Sequence, residues 1–175
     1  PLQPVSNYRR RILDHLNEWL PREKLYSIPR SLQPQGSRAL GRLSFSDNYL
    51  RFVTRLRREF QIITHPESLA QAISNSGMPL RDSSPQVFVL ASAGGGSSGA
   101  LADIGFSIQR LLTQIHLPSA SVHAILFCGA PNDPATPKGE RANVYATLTE
   151  LNHFSDSVTT FSAQYGGPDG PKILE

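Results

Sequence analysis

The sequence predicts an α/β domain of three layers, with a mainly parallel sheet between helices. Two apolar strand candidates and the amphipathic helix between them carry that expectation. Residues 86–92 (QVFVLAS) hold Val87, Phe88, Val89 and Leu90 in a near-continuous apolar run. Such a run suits a strand covered on both faces. Residues 121–128 (SVHAILFC) form a second run of the same type, ended by Gly129. Between them, from Ala100 onward, Leu101, Ile104, Ile108, Leu111, Leu112 and Ile115 fall on one face of a helix. Strand, helix, strand in this order is a βαβ unit, whose crossover is expected to be right-handed.

The turn between the first strand and the helix reads Ala93, Gly94, Gly95, Gly96, Ser97, Ser98, Gly99. Glycine accepts the positive φ of a tight turn and lets backbone N–H groups approach a ligand closely. A helix N-terminus carries unpaired N–H groups and a partial positive charge, so the turn before it suits an anion. Ser97 and Ser98 are placed either to cap the helix or to donate hydroxyl hydrogen bonds to a phosphate. Two readings stay open here, a phosphate cradle and a tight connection with a serine cap. The turn is neither a Walker A loop, which needs Gly-Lys-Ser/Thr, nor the dinucleotide fingerprint, nor a nucleophile elbow. Ligands of open α/β sheets bind at the carboxyl ends of the strands, so the proline-rich loop 131–139 should share this rim.

The flanking elements follow from periodicity and punctuation. Residues 5–20 predict a helix with Ser6 or Asn7 as cap and Tyr8, Ile12, Leu16 and Trp19 or Leu20 inward; Pro21 stops it. Arg9, Arg10 and Arg11 read as its solvated face. Residues 21–35 read as loop, and 36–45 as a polar loop before a helix. Ser46 and Asp47 are expected to cap a helix running to Phe60, with Leu50, Val53, Leu56 and Phe60 inward and Arg51, Arg55, Arg57 and Arg58 around the remainder. A short helix is expected over 66–74, with Glu67 in its first turn, and then a linker over 76–85. Residues 141–154 predict a helix with Val144, Leu148 and Leu151 inward, and 158–163 an edge strand.

Composition narrows the chemistry. The 175 residues make one domain, divided into a basic helical part over 1–80 and a βαβ core over 86–175. Residues 1–60 hold twelve Lys/Arg and five Asp/Glu, a net of +7; residues 61–175 hold five and nine, a net of −4, which together give +3. The single Cys128 excludes an internal disulfide and suggests a reducing, cytoplasmic compartment. No signal peptide or membrane-length apolar run is visible. The start at Pro1 suggests an excerpt of a longer, incomplete domain. The five histidines share no metal-like spacing. Asp103, one turn into the helix, reads as a dipole residue or as a Mg²⁺ neighbour through water. Asn132, Asp133 and Asn143 reach a ribose or base only if their segments line the cleft.

The segment AGGGSSGALADI after an apolar strand resembles the glycine-rich signature of the tubulin superfamily, usually written GGGTGSG. It is most similar to the divergent prokaryotic tubulin-like proteins. Two further segments, RANVYATLTELNHF (141–154) and GSRALGRLSF (36–45), resemble the same pattern, so the likeness covers most of the chain. Aligned on Ser98-Gly99, the family threonine is Gly96 here and the following glycine is Ser97. The resemblance implies a tubulin-type nucleotide-binding domain that takes GTP or GDP, with Mg²⁺, at Ala93, Gly94, Gly95, Gly96, Ser97, Ser98 and Gly99. It places Gly36 and Ser37 near the nucleotide and Arg38 and Arg42 near its phosphates. It implies self-association as in tubulins. Nucleic acid is not expected as a partner, because the arginines are spread around helices with apolar stripes and few aromatics are free to stack, and no apolar run suits a membrane. Tubulin-type hydrolysis uses an acidic loop from a neighbouring subunit; the sequence shows no counterpart and no catalytic residue is assigned. Two alternatives remain, a degenerate tubulin-like scaffold without nucleotide and a small-molecule kinase of the GHMP type. GGGSSGAL resembles the Gly-Leu-Gly-Ser-Ser turn of that kinase family, but its upstream Pro-x-x-x-Gly is missing.

Overall fold

One long helix forms the spine of the molecule. The structure, a computed structural model, describes residues 1–8, 14–79, 84–117, 119–130, 133–166 and 169–174. A 3-10 turn at Val5–Asn7 and the short helix α1 (Arg22–Tyr26) precede the 26-residue helix α2 (Arg38–Ile63). Then come α3 (Pro66–Ser76), β1 (Gln86–Ser92), a 3-10 turn (Gly96–Ala100), α4 (Leu101–Gln114), β2 (Ser121–Phe127) and α5 (Lys138–Phe154). A hairpin of β3 (Ser162–Gln164) and β4 (Lys172–Leu174) ends the described chain.

β1 and β2 pair in parallel, from Gln86 opposite Ser121 to Ser92 opposite Phe127, with α4 as the crossover. The chain is thus mixed α/β, as expected. The strands alternate, however, and are not buried on both faces. Val87, Val89 and Val122 pack against Ile108, Leu111 and Leu112 of α4. Phe88, Leu90, Ile125 and Phe127 on the opposite face are exposed, Leu90 to 63%. An apolar run alone cannot say how many faces are covered, and among the described residues the helices lie on one face. The hairpin, antiparallel and separate from the parallel pair, replaces the edge strand expected over 158–163.

α2 contributes to each of three cores. Leu40 and Leu43 pack with Leu2, Tyr8, Leu16, Leu20 and Leu25. Tyr49 packs with Phe161, Tyr165 and Ile173, and Phe60 with α4. This burial explains why the helix starts eight residues before the cap expected at Ser46. Ser37 is its N-cap, with its Oγ accepting the Leu40 N–H at 3.4 Å. Ser46 and Asp47 lie inside the helix, and Asp47 accepts a hydrogen bond from the Tyr8 hydroxyl at 2.6 Å. Desolvation raises the Asp47 carboxyl above its ordinary range. Three further differences are local. Ser6 and Asn7 sit in the 3-10 turn, α1 occupies part of the expected 21–35 loop with Pro21 as its N-cap, and Leu148 of α5 faces outward while Thr147 is buried. The expected roles of Arg9, Arg10, Arg11 and Ile12 lie outside the described residues. α3 begins at Pro66 with Glu67 in its first turn, as expected, and ends on Gly77 in the left-handed region (φ 67°). Among the described residues, no helix is long and apolar enough to cross a membrane.

Two glycines inside helices make opposite demands. A Cβ built on Gly41 of α2 falls on the Gly96 carbonyl, whereas one on Gly105 of α4 meets nothing within 4 Å. Ala normally stabilises a helix interior over Gly by about 1 kcal/mol. Gly105→Ala should therefore raise the urea midpoint, while Gly41→Ala should lower it despite the same propensity gain. Midpoints moving in the same direction would refute this packing.

Candidate functional site

The carboxyl end of β1 enters the glycine turn without a break in pairing, since the Ala93 N–H donates to the Phe127 carbonyl at 3.0 Å. Beyond it, the turn differs from expectation in why it needs glycine. Gly95 is extended (φ −84°, ψ 168°), and positive φ among the described glycines is confined to Gly36, Gly77 and Gly166. The constraint is close approach of two backbones. A Cβ on Gly99 would collide with the Arg38 carbonyl, and one on Gly96 would sit 2.9 Å from Pro34 Cβ and 3.1 Å from the Ser37 carbonyl. Gly95 alone of the three consecutive glycines has room, its nearest neighbour being Ser92 at 3.7 Å.

The two serines do different things, and neither caps a helix. Ser98 is fully buried, and its hydroxyl donates to the Gly95 carbonyl at 2.7 Å. Neither the 3-10 turn nor α4 has a side-chain cap; Gly95 and Ala100 are their N-caps. Ser97 is exposed. The amides of Gly94, Gly95 and Gly96 donate no hydrogen bond to any described residue. Gly94 and Gly96 are buried and Gly95 is half-buried; successive backbone N–H groups without a partner, set before a helix, are a donor set that suits an anion.

α5 fastens this turn from one side. Asn143 Nδ2 donates to both the Gly36 and the Gly94 carbonyls, each at 2.8 Å, and so joins the loop before α2 to the glycine turn. The Thr147 hydroxyl, buried, lies 3.0 Å from the Ala93 carbonyl and 2.8 Å from that of Asn143. Glu140 packs against Gly94, with its Oε1 3.1 Å from a Cβ built on Gly129. Glu140, Asn143 and Thr147 stand at i, i+3 and i+7, one face of a helix. That polar spacing is the signal that would have marked Glu140 and Thr147 in the sequence.

Arg38 and Arg42 both have carboxylate partners. Arg38 pairs with Glu150, and its buried Nε has no partner among the described residues. Arg42 pairs with Asp103 at 3.2 Å and lies over the Trp19 ring, 4.9 Å from its centroid. Asp103 is 2% exposed and accepts a further bond from the Tyr165 hydroxyl at 2.8 Å. Burial, and then the Asp103 charge, push the Tyr165 phenol far above its ordinary value, so it stays a neutral donor. Asp103 is therefore an internal ion-pair residue and is withdrawn from any Mg²⁺. Asp133 accepts the Ala135 N–H at 2.8 Å within its own loop, and Asn132 lies outside the described residues. Gly36 and Ser37 are thus brought beside the glycine turn, although Ser37 spends its hydroxyl on α2.

The family model described as tubulin-like matches residues 2–174, nearly the whole chain. No curated protein and no solved structure gives a significant match.

The fastening by Asn143 is open to a direct test. Asn143→Asp keeps the shape, removes both donors and turns a charge toward two carbonyl oxygens. It should destabilise the fold by about 1–3 kcal/mol, the cost of leaving polar groups unpaired, read as a lower urea midpoint at unchanged slope. An unchanged midpoint would show that the two carbonyls need no such tie.

Proposed function

The chain belongs to the tubulin-like family, and from that premise we propose that it binds guanine nucleotide, GTP or GDP, with the phosphates on the amides of Gly94, Gly95 and Gly96. The observation that carries this reading is the row of three N–H groups, unpartnered among the described residues, at the carboxyl end of a parallel strand pair. Backbone donors converging before a helix bind an anion with no need of a basic side chain. Ser97, exposed beside them, is the hydroxyl free to reach a phosphate; Ser98 is committed to Gly95. Gly36 belongs to the same rim through Asn143. Glu140 is the carboxylate packed on the turn, and its charge suits it to the Mg²⁺ that accompanies a nucleotide rather than to the phosphates.

The match over 2–174 displaces the kinase reading. The scaffold reading keeps one observation in its favour, the Glu140 carboxylate lying where it would repel a phosphate without a cation. Family membership also supports a third layer, which would cover the apolar sheet face of Phe88, Leu90, Ile125 and Phe127. Self-association through tubulin-like contacts belongs to the same proposal.

Gly95 gives the decisive substitution because it is the glycine the fold does not need. Gly95→Val should leave the thermal melt within a few degrees of the parent, since φ is negative and the Cβ has room. The same change should weaken GTP binding in the presence of Mg²⁺ by more than tenfold, measured by calorimetry, by blocking approach to the amides. Ser97→Gly should bind as well as the parent or better. Undiminished binding by Gly95→Val would place the phosphates elsewhere, and a parent that retains and binds no guanine nucleotide would favour the scaffold.

A further inference from the structure

A concavity of about 340 Å³ lies away from the glycine turn, between the N-terminal segment, α2 and the β3–β4 hairpin. Trp19, Arg42, Ser46, Ser162, Tyr165 and Lys172 are in its wall. Its size falls at the lower end of small-molecule sites, which run from about 300 to 1,000 Å³.

The charges in this wall are unequal in their commitments. Arg42 is held by Asp103, and Tyr165 donates to the same carboxylate, so that pair is neutral and fixed. The guanidinium in turn lies over Trp19 and holds the ring as a flat wall. Lys172 has no carboxylate partner among the described residues, and the hydroxyls of Ser46 and Ser162 make no hydrogen bond there. His15, 13% exposed and 3.4 Å from the Gln164 carbonyl, stands 3.8 Å from Glu18, whose side chain is 73% exposed at the rim. One free cation, two free hydroxyls and an aromatic wall remain, with a carboxylate at the rim.

We propose that this concavity binds a small organic monoanion, a carboxylate borne on a flat apolar body. Lys172 supplies the positive charge that has no carboxylate partner among the described residues, and Ser46 and Ser162 supply neutral donors. The flat body packs beside Trp19, whose ring the Arg42 guanidinium, also in the wall, holds in place. A dianion fits worse, because it would meet a single free cation and the Glu18 carboxylate at the mouth. The site is independent of the nucleotide proposal and shares no wall residue with the glycine turn.

Trp19 is the single tryptophan of the chain, so its fluorescence reports this wall directly. Benzoate titrated into the purified chain should give a saturable change in that fluorescence. Benzamide, the neutral isostere, and inorganic phosphate should give none over the same range. Lys172→Gln, at an exposed position of β4, should keep the parent's thermal melt and weaken benzoate at least about tenfold, the worth of one charged hydrogen bond. Gly95→Val should bind benzoate as the parent does, which separates this site from the nucleotide site. No saturable response to benzoate, an equal response to benzamide, or unchanged binding by Lys172→Gln in the folded protein would each overturn the proposal.

Discussion

The contact on which the rest of the structure depends is the close seam where residues 96–99 meet residues 34–41. Gly41, Gly96 and Gly99 each lack a Cβ at a place where one would strike a carbonyl or proline of the other segment. Interiors pack at crystal-like density, so a contact this close cannot be loosened by rotamer changes. It sets the start of α2 against the end of β1. Because α2 runs through three separate cores, the same contact fixes the N-terminal segment, the hairpin and α4 relative to the sheet. The Gly-rich turn is thus first a packing device, and whatever it binds must use the groups this packing leaves free.

Charge follows the same plan. The basic first third and the acidic remainder look in sequence like two surfaces waiting for partners. Two of the arginines find their carboxylates across that divide within the molecule, Arg38 on Glu150 and Arg42 on Asp103. The second pair is the more consequential, since Asp103 is buried and would be costly alone. Tyr165 supplies its remaining hydrogen bond, and the stacking of Tyr165 on Tyr49 at 4.1 Å anchors the hairpin to α2. Part of the charge asymmetry is therefore consumed in holding the two parts of the chain together.

What was legible in the sequence was what repeats locally. β1, β2, α4 and the helix at Pro66 were set by period, apolar runs and a proline at the first turn. The start of α2 was not legible, because Ser46 and Asp47 imitate a cap and Gly41 imitates a loop, while the burial of Leu40 and Leu43 decides otherwise. The hairpin strands are three residues each, too short to show a period. Asp103 joins partners 61 and 62 residues away, Arg42 and Tyr165, and no local pattern encodes that. Within the site, the glycine turn itself was legible, but its reason was not. Free φ and close approach call for the same residue, and only the position of the opposing backbone tells them apart.

That distinction decides which residues the turn accepts. A Cβ built on Gly96 lies 2.9 Å from Pro34 and 3.1 Å from the Ser37 carbonyl. A threonine at Gly96, the residue type of the tubulin signature that the turn resembles, would force α2 and the turn apart. Ser97, one residue on, is exposed. The turn is thereby divided along its length. Gly96, Ser98 and Gly99 carry side-chain or Cβ-free contacts that hold the fold, while a Cβ on Gly95 would meet only Ser92 at an ordinary 3.7 Å and Ser97 is exposed. The Gly96 amide sits at the boundary, its α-carbon committed to the seam and its N–H without a partner among the described residues. The packing of α2 against the turn thus decides which of its groups are held and which stay free.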